Sequence, residues 1–181
     1  MKRTFHPAKT TPALFLDRDG VINLDKINTY KVADCEFLPG IFKLVKAAKN
    51  RGLKVVVVTN QSGIGRNIFT EEDYLTFRSY IHGEFKRRGC ALDGEYYCPY
   101  HVEALGKYRL DSPLRKPKPG MLLKAAEELN IDLKRSMLIG DHLTDLKAAE
   151  SAGVPLRLLV NGRTVSSALQ LLTQRFKVLP R

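Results

Sequence analysis

Cysteine is scarce in this chain. The three residues, Cys35, Cys90 and Cys98, are few and odd in number, which argues against a disulfide framework and fits a reducing compartment. Long apolar runs are missing as well: none approaches the roughly 20 residues that a membrane-spanning helix needs, so no membrane partner is expected. The basic start MKRTFHPAKT is followed only by the short apolar run 13–16, which argues against a secretory signal and points to the cytoplasm. Internal repeats, low-complexity tracts and long linkers are absent too. With 181 residues, 44% of them hydrophobic, one domain over residues 1–181 is expected, acting as a monomer.

Acidic residues are outnumbered, 19 against 30 basic ones, for a formal net charge of +11. Such a balance attracts phosphorylated metabolites, nucleic acid or acidic surfaces, and does not choose among them. The densest basic cluster, Lys86-Arg87-Arg88, reads as the solvated end of a helix, where cations suit the helix dipole.

What the chain does have is alternation. Short apolar, β-branched runs at 13–16, 55–58, 95–97, 137–139 and 156–160 read as buried strands. Between them lie helix-period segments. Ile41, Leu44, Val45 and Ala48 make one apolar face; Tyr74, Phe77, Ile81 and Phe85 make another, opened by Thr70 and Asp73 in a capping-box arrangement. Met121, Leu122, Ala125 and Leu129 form a third, Leu146 and Ala149 a fourth, and residues 165–172 a tail helix. The fold class is therefore α/β: a three-layer αβα Rossmann-like parallel sheet. Ligands of such sheets bind beyond the carboxyl ends of the strands.

Each of those ends carries chemistry. Asp17-Arg18-Asp19-Gly20 follows the first strand, and two carboxylates so close call for a cation or a shared proton. Thr59-Asn60-Gln61-Ser62-Gly63-Ile64-Gly65-Arg66 follows the second, rich in hydroxyl and amide groups but without the Lys-Ser/Thr ending of a nucleotide P-loop. Arg115-Lys116-Pro117-Lys118-Pro119-Gly120 closes the stretch after the third, and Gly140-Asp141-His142-Leu143-Thr144-Asp145 follows the fourth. Singly, each piece is an ordinary turn or cap. Together they describe metal-assisted phosphoryl transfer to a carboxylate. Oxygens of Asp17, Asp19 and Asp141 with waters suit Mg2+. Asp17 is the expected nucleophile, Asp19 the acid and base, and Thr59 and Lys116 the groups that hold phosphoryl oxygens.

These four motifs resemble those of haloacid dehalogenase-type phosphatases. More narrowly, they are similar to the group of D-glycero-D-manno-heptose 1,7-bisphosphate phosphatases, with histidinol-phosphate phosphatases as near relatives. The resemblance runs from about residue 13 to about residue 153. It implies an HAD-like fold without a large cap, and removal of the C7 phosphate of a small sugar bisphosphate during synthesis of activated heptose for surface polysaccharides. It implies the roles above for Asp17, Asp19, Thr59 and Lys116. It further implies Mg2+ held by Asp17, Asp141 and the backbone carbonyl of Asp19, and substrate recognition by Arg115. Asp25, Lys26, Ile27, Asn28, Asn60, Gln61 and Ser62 fall where the group contacts its sugar phosphate, and Arg66 and His142 join them as candidate contacts. Two departures stand out. Many members carry a structural zinc on a Cys-x-His … Cys-x-Cys loop; here Cys98 is kept, but Tyr100, Ser112 and Leu114 replace the other ligands, so no structural zinc is expected. Packing of Tyr108, Leu110 and Leu114 is expected to pin that loop instead. The second departure is His142, where the group often has lysine.

Only 39 residues lie between Asp19 and Thr59, too few for an inserted domain, so loops rather than a lid are expected to set selectivity. Two rival readings remain at this stage. A nucleic-acid 3′-phosphatase would use the positive charge, although no aromatic-basic platform for a strand is visible. A receiver module would also accept phosphate on a strand-end aspartate, but would keep it. His6, His82 and Cys35 have no company that suggests chemistry.

Overall fold

The computed structural model describes residues 10–177; His6 lies outside them. Its elements follow in the order β1 (Ala13–Leu16), α1 (Ile41–Lys49), β2 (Lys54–Asn60), α2 (Ser62–Gly65), α3 (Glu71–Arg87), β3 (Gly94–Cys98), α4 (Gly120–Leu129), β4 (Met137–Gly140), α5 (Leu143–Ser151), β5 (Leu156–Leu159) and α6 (Ser166–Arg175). The five strands form one sheet in the order β3-β2-β1-β4-β5, and every pairing is parallel. This is the three-layer architecture expected from the alternation of apolar runs.

The two cores follow from the pleat, which sends successive side chains to opposite faces. Leu14 and Leu16 of β1 join Val55 and Val57 of β2 on one face, under α1, α3 and α6. Ala13 and Phe15 join Val56 and Val58 on the other, under α4 and α5. All eight are fully buried. Leaving even one such aliphatic side chain in water would cost about 1.5–3 kcal/mol, which is why an alternating polar pattern is absent from these runs.

Helix ends obey local chemistry. Thr70 accepts from the Asp73 amide while the Asp73 carboxylate accepts from the Thr70 amide, so two orphan donors of α3 are satisfied reciprocally. Asn130 ends α4 in the left-handed region at φ 51°. Within the segment that follows β2, residues 62–65 form a single helical turn. Cys35, Cys90 and Cys98 are all free thiols.

Register places the site. Leu16 pairs with Val57 on one side and Ile139 on the other. One residue further, the chain emerges between the ends of β2 and β4, where the strand order reverses around β1. A crevice forms at that point in sheets of this kind. No second domain covers it among the described residues.

Candidate active site

Asp17 is the first residue beyond β1. Its amide donates to the Ile139 carbonyl at 3.0 Å, which ties it to β4, and its Oδ1 accepts from the Arg18 amide at 2.8 Å. Three residues on, Gly20 turns the chain at φ +73°, a conformation that suits glycine. A Cβ there would lie 2.0 Å from Asp141 Oδ2, so only glycine lets the loop after β1 meet the acid after β4. Gly140 has the same duty one layer down, since a Cβ on it would strike the Asp145 side chain at 2.3 Å.

Lys116 reaches into the centre of this cluster. Its Nζ lies 2.8 Å from Asp17 Oδ1 and 2.6 Å from Asp145 Oδ1, and it donates to the Val58 carbonyl at 2.9 Å. The loop that carries it is fastened by Asn60, whose side-chain amide exchanges two 3.1 Å hydrogen bonds with the Lys116 backbone. Burial pulls the ammonium towards neutrality, but Asp17 and Asp145 outweigh it and hold Lys116 above its ordinary value. Burial also pushes the Asp17 carboxyl up to about 7; Lys116 opposes this, and Asp145 and Asp19 add to it. Asp141 is raised as well, chiefly by burial, with His142 opposing.

Carboxylate oxygens of Asp17, Asp141 and Asp145 lie within 4.8 Å of one another. Asp17 and Asp141 are the two side chains expected to hold the ion; Asp19 was expected to offer its backbone carbonyl, and its side chain is engaged elsewhere. Asp19 accepts from the Arg18 guanidinium, from Asn23 Nδ2 at 2.9 Å and from Gln61 Nε2 at 3.0 Å. Asp145 commits Oδ1 to Lys116 and Oδ2 to the His142 amide at 3.0 Å. Asp141 Oδ1, in contrast, is buried without a hydrogen-bond partner. An anionic oxygen buried in that state costs several kcal/mol unless a cation meets it, so the donor set suits a hard divalent ion.

A cleft of about 280 Å3 opens over the cluster. Asp17, Asp19, Thr59, Lys116 and Asp141 all line it, so the five residues expected at the chemical centre do converge. Asp25, Asn28, Asn60, Ser62, Arg115 and His142 line it too, together with Thr144 and Asp145. Lys26, Ile27, Gln61 and Arg66 are not among them. Lys26 turns to Glu36, and Ile27 is 85% exposed at φ 60°. Gln61 is buried and spans Thr59 Oγ1 and Asp19, so it supports the site from behind. Arg66 faces His101 and Glu103 on the outer loop.

That outer loop, residues 99–115, is held by hydrogen bonds and aromatic packing. Tyr97 and Tyr108 both donate their hydroxyls to Glu71, at 2.5 and 3.2 Å, and the Leu105 amide donates to Gly65 at 2.8 Å. Tyr108 packs beside Ile64, Phe69 and Tyr74, and Leu114 against the α4 core. Leu110 does not pack: it is half exposed, a correction to the expected trio, because the loop is fixed through Glu71 instead. At the former ligand positions Ser112 Oγ accepts from the Leu114 amide, and Cys98 Sγ points to the Tyr100 carbonyl at 3.9 Å.

Two site residues went unassigned in the sequence reading. Asp145 had a signal, a second acid in the segment after β4, in the first turn of α5. Arg18, fully buried beneath Asp19, had none.

A parallel sheet with an acid cluster and a buried lysine at its switch point is the arrangement of a haloacid dehalogenase-type hydrolase. A family model described as haloacid dehalogenase-like hydrolase matches residues 8–153, and the chain belongs to that family. It is an enzyme of the phosphatase branch. It is 44% identical over 155 residues to the D-glycero-alpha-D-manno-heptose-1,7-bisphosphate 7-phosphatase of Burkholderia mallei, covering 85% of this chain and 82% of the relative. It is 45% identical over 150 residues to the corresponding beta-anomer phosphatase of Vibrio cholerae, covering 82% and 81%. Among solved structures, a Mesorhizobium loti protein with a provisional HAD-like phosphatase assignment superposes with a TM-score of 0.86 at 34% identity, covering 100% of this chain and 92% of the other. The D,D-heptose 1,7-bisphosphate phosphatase from B. bronchiseptica, complexed with magnesium and phosphate, gives 0.77 at 27%, covering 90% and 98%.

Proposed function

We propose that this chain removes the C7 phosphate of D-glycero-D-manno-heptose 1,7-bisphosphate through a phosphoryl group carried on Asp17. The observation that carries the chemistry is the buried Lys116 ammonium between Asp17 and Asp145, with the unpartnered Asp141 Oδ1 beside them. The substrate is drawn from the relatives, which carry that activity in their names.

Asp17 attacks phosphorus as a carboxylate. The bond from phosphorus to the sugar oxygen breaks as Asp19 gives that oxygen a proton. Asp19 then takes a proton from water, which attacks the aspartyl phosphate, releases inorganic phosphate and restores the Asp17 carboxylate. Lys116 and Thr59 hold the phosphoryl oxygens as charge gathers on them. Asp25, Asn28, Asn60, Ser62, Arg115 and His142, which line the cleft, contact the sugar and its remaining polar groups. Asp17 and Asp141, with the Asp19 carbonyl, would hold Mg2+, which supplies charge neutralisation that lets two anions approach. Asp145 has both oxygens engaged, so it braces Lys116 rather than serving the ion directly. With no zinc ligands at positions 100, 112 and 114, the outer loop works without that metal.

A magnesium-containing panel tests this reading: both heptose bisphosphate anomers, histidinol phosphate and an oligonucleotide 3′-phosphate. A kcat/KM at least about tenfold higher for a heptose anomer is expected, the size of selectivity that a few polar contacts provide. Equal or better turnover of histidinol phosphate or the oligonucleotide would replace the substrate and leave the chemistry standing.

A further inference from the structure

Arg18 is the largest fully buried side chain in the molecule's described residues, and it sits directly beneath the cleft. An arginine costs much to bury, so its partners reveal what it is for. Nε and Nη2 donate to Asp19 Oδ1 at 3.1 and 3.0 Å, and Nη2 also lies 2.8 Å from Asp19 Oδ2. Nη2 further donates to the Thr29 carbonyl at 2.8 Å. The flat guanidinium lies over two rings of α3, with Cζ 4.9 Å from the Phe77 centroid and 5.7 Å from that of Tyr74. Behind Tyr74, whose hydroxyl donates to Glu95 at 2.5 Å, a second buried carboxylate faces the same charge. Burial works against the guanidinium's charge, yet Asp19 and Glu95 outweigh it and hold Arg18 above its ordinary value.

We propose that Arg18 is a positioning residue: it fixes the Asp19 carboxyl in the orientation from which it exchanges protons with the leaving oxygen and the hydrolytic water. The geometry is specific to arginine. A planar fork meets both Asp19 oxygens from one side while the ring faces of α3 prevent it from turning, and a lysine could offer only a single point. Asn23 and Gln61 contribute one donor each, so Arg18 supplies the larger share of what holds Asp19. This rests on Asp19 being the acid and base.

The test compares Asp19→Asn, Arg18→Met, Arg18→Lys and the double variant Arg18→Met/Asp19→Asn on two esters. One is the best alkyl phosphomonoester of the panel above, whose leaving oxygen needs a proton; the other is 4-nitrophenyl phosphate, whose leaving group does not. Phosphorylation of Asp17 is read as the initial burst of nitrophenolate and the appearance of the alcohol in single turnover. Asp19→Asn should slow release of the alcohol about 10²–10⁴-fold and spare the burst. Both Arg18 variants should reproduce that leaving-group pattern in weaker form, about tenfold to a hundredfold, with KM unchanged. The double variant should be no worse than Asp19→Asn alone. Equal losses on both esters, additive losses in the double variant, or a wild-type Arg18→Lys would overturn the proposal while Asp19 keeps its role. Loss of the pattern in Asp19→Asn itself would remove both. Arg18→Lys keeps the charge and most of the volume, so it carries the test if Arg18→Met does not fold; failure of both to fold would make Arg18 structural and end the proposal.

Discussion

The Nζ of Lys116 lies 2.8 Å from Oδ1 of Asp17, with both side chains almost wholly withdrawn from solvent. A second carboxylate, Asp145, shares the same ammonium. Asp17 is therefore kept beside another acid only because a cation stands between them.

Lys116→Met should expose that dependence. Removing one partner of a buried pair leaves uncompensated charge, so stability should fall by about 3–5 kcal/mol in urea titration. Magnesium should restore part of the loss, because it too neutralises the acids. Turnover should drop at least about a hundredfold, as expected when a group that holds developing charge is removed. A variant as stable as the parent would mean that the three groups are not coupled.

Asp17→Asn preserves shape and removes the charge. Phosphate release should become undetectable, while the melting temperature stays the same or rises, since one buried repulsion with Asp145 is gone. Activity within about tenfold of wild type would take the role of nucleophile away from Asp17.

Stability of the magnesium-free protein should depend on pH in a defined sense. The Asp17 carboxyl is raised from an ordinary 3.8 to about 7, so the folded chain holds a proton that the unfolded chain has released. Such a group contributes stability that is fully present below 3.8 and is lost as pH rises towards and through about 7. Asp141, also raised, acts in the same direction. The contribution of these acids is therefore expected to decline from pH 5 to pH 8, and to do so less with saturating magnesium, which favours the ionised acids. Parallel melting curves of wild type and Asp17→Asn with and without the ion measure it, and a wild-type minus variant difference that does not change with pH would contradict the assignment.

Glu71→Ala removes the acceptor of two tyrosine hydroxyls, Tyr97 and Tyr108. Amides of residues 99–115 should lose protection from hydrogen exchange by about 1–3 kcal/mol, the cost of leaving such groups unpaired. KM should rise, because Arg115 lies at the end of that loop, and kcat should hold. Metal analysis of the purified wild-type chain should find no stoichiometric zinc. One tightly bound zinc per chain would show that another set of ligands completes the site.

Much of the fold could be read in advance, because each strand is a short β-branched run and each helix carries one apolar face. The acids and the lysine were legible for a related reason: each stands just past a strand, and a parallel sheet brings such points together. Contacts that depend on distant packing were not legible. Arg18 reads in sequence as a charge between two acids, and its burial follows from Tyr74 and Phe77 on a helix more than fifty residues away. Leu110 was assigned to packing because it interrupts polar residues, yet the Glu71 contacts already hold its loop and leave it outside. Lys26 and Arg66 could not be distinguished from their neighbours, since the direction in which a long side chain turns is decided by partners such as Glu36 and Glu103.

The uncovered cleft has a kinetic consequence. Enzymes that shut a domain over their substrate spend time opening it, and release often limits them. Among the described residues neither hinge nor gate stands between bulk water and the cleft. If Asp17 carries the phosphoryl group as proposed, the water that releases phosphate can enter from the cleft mouth as soon as the alcohol departs, because the rest of Asp17 is enclosed by protein.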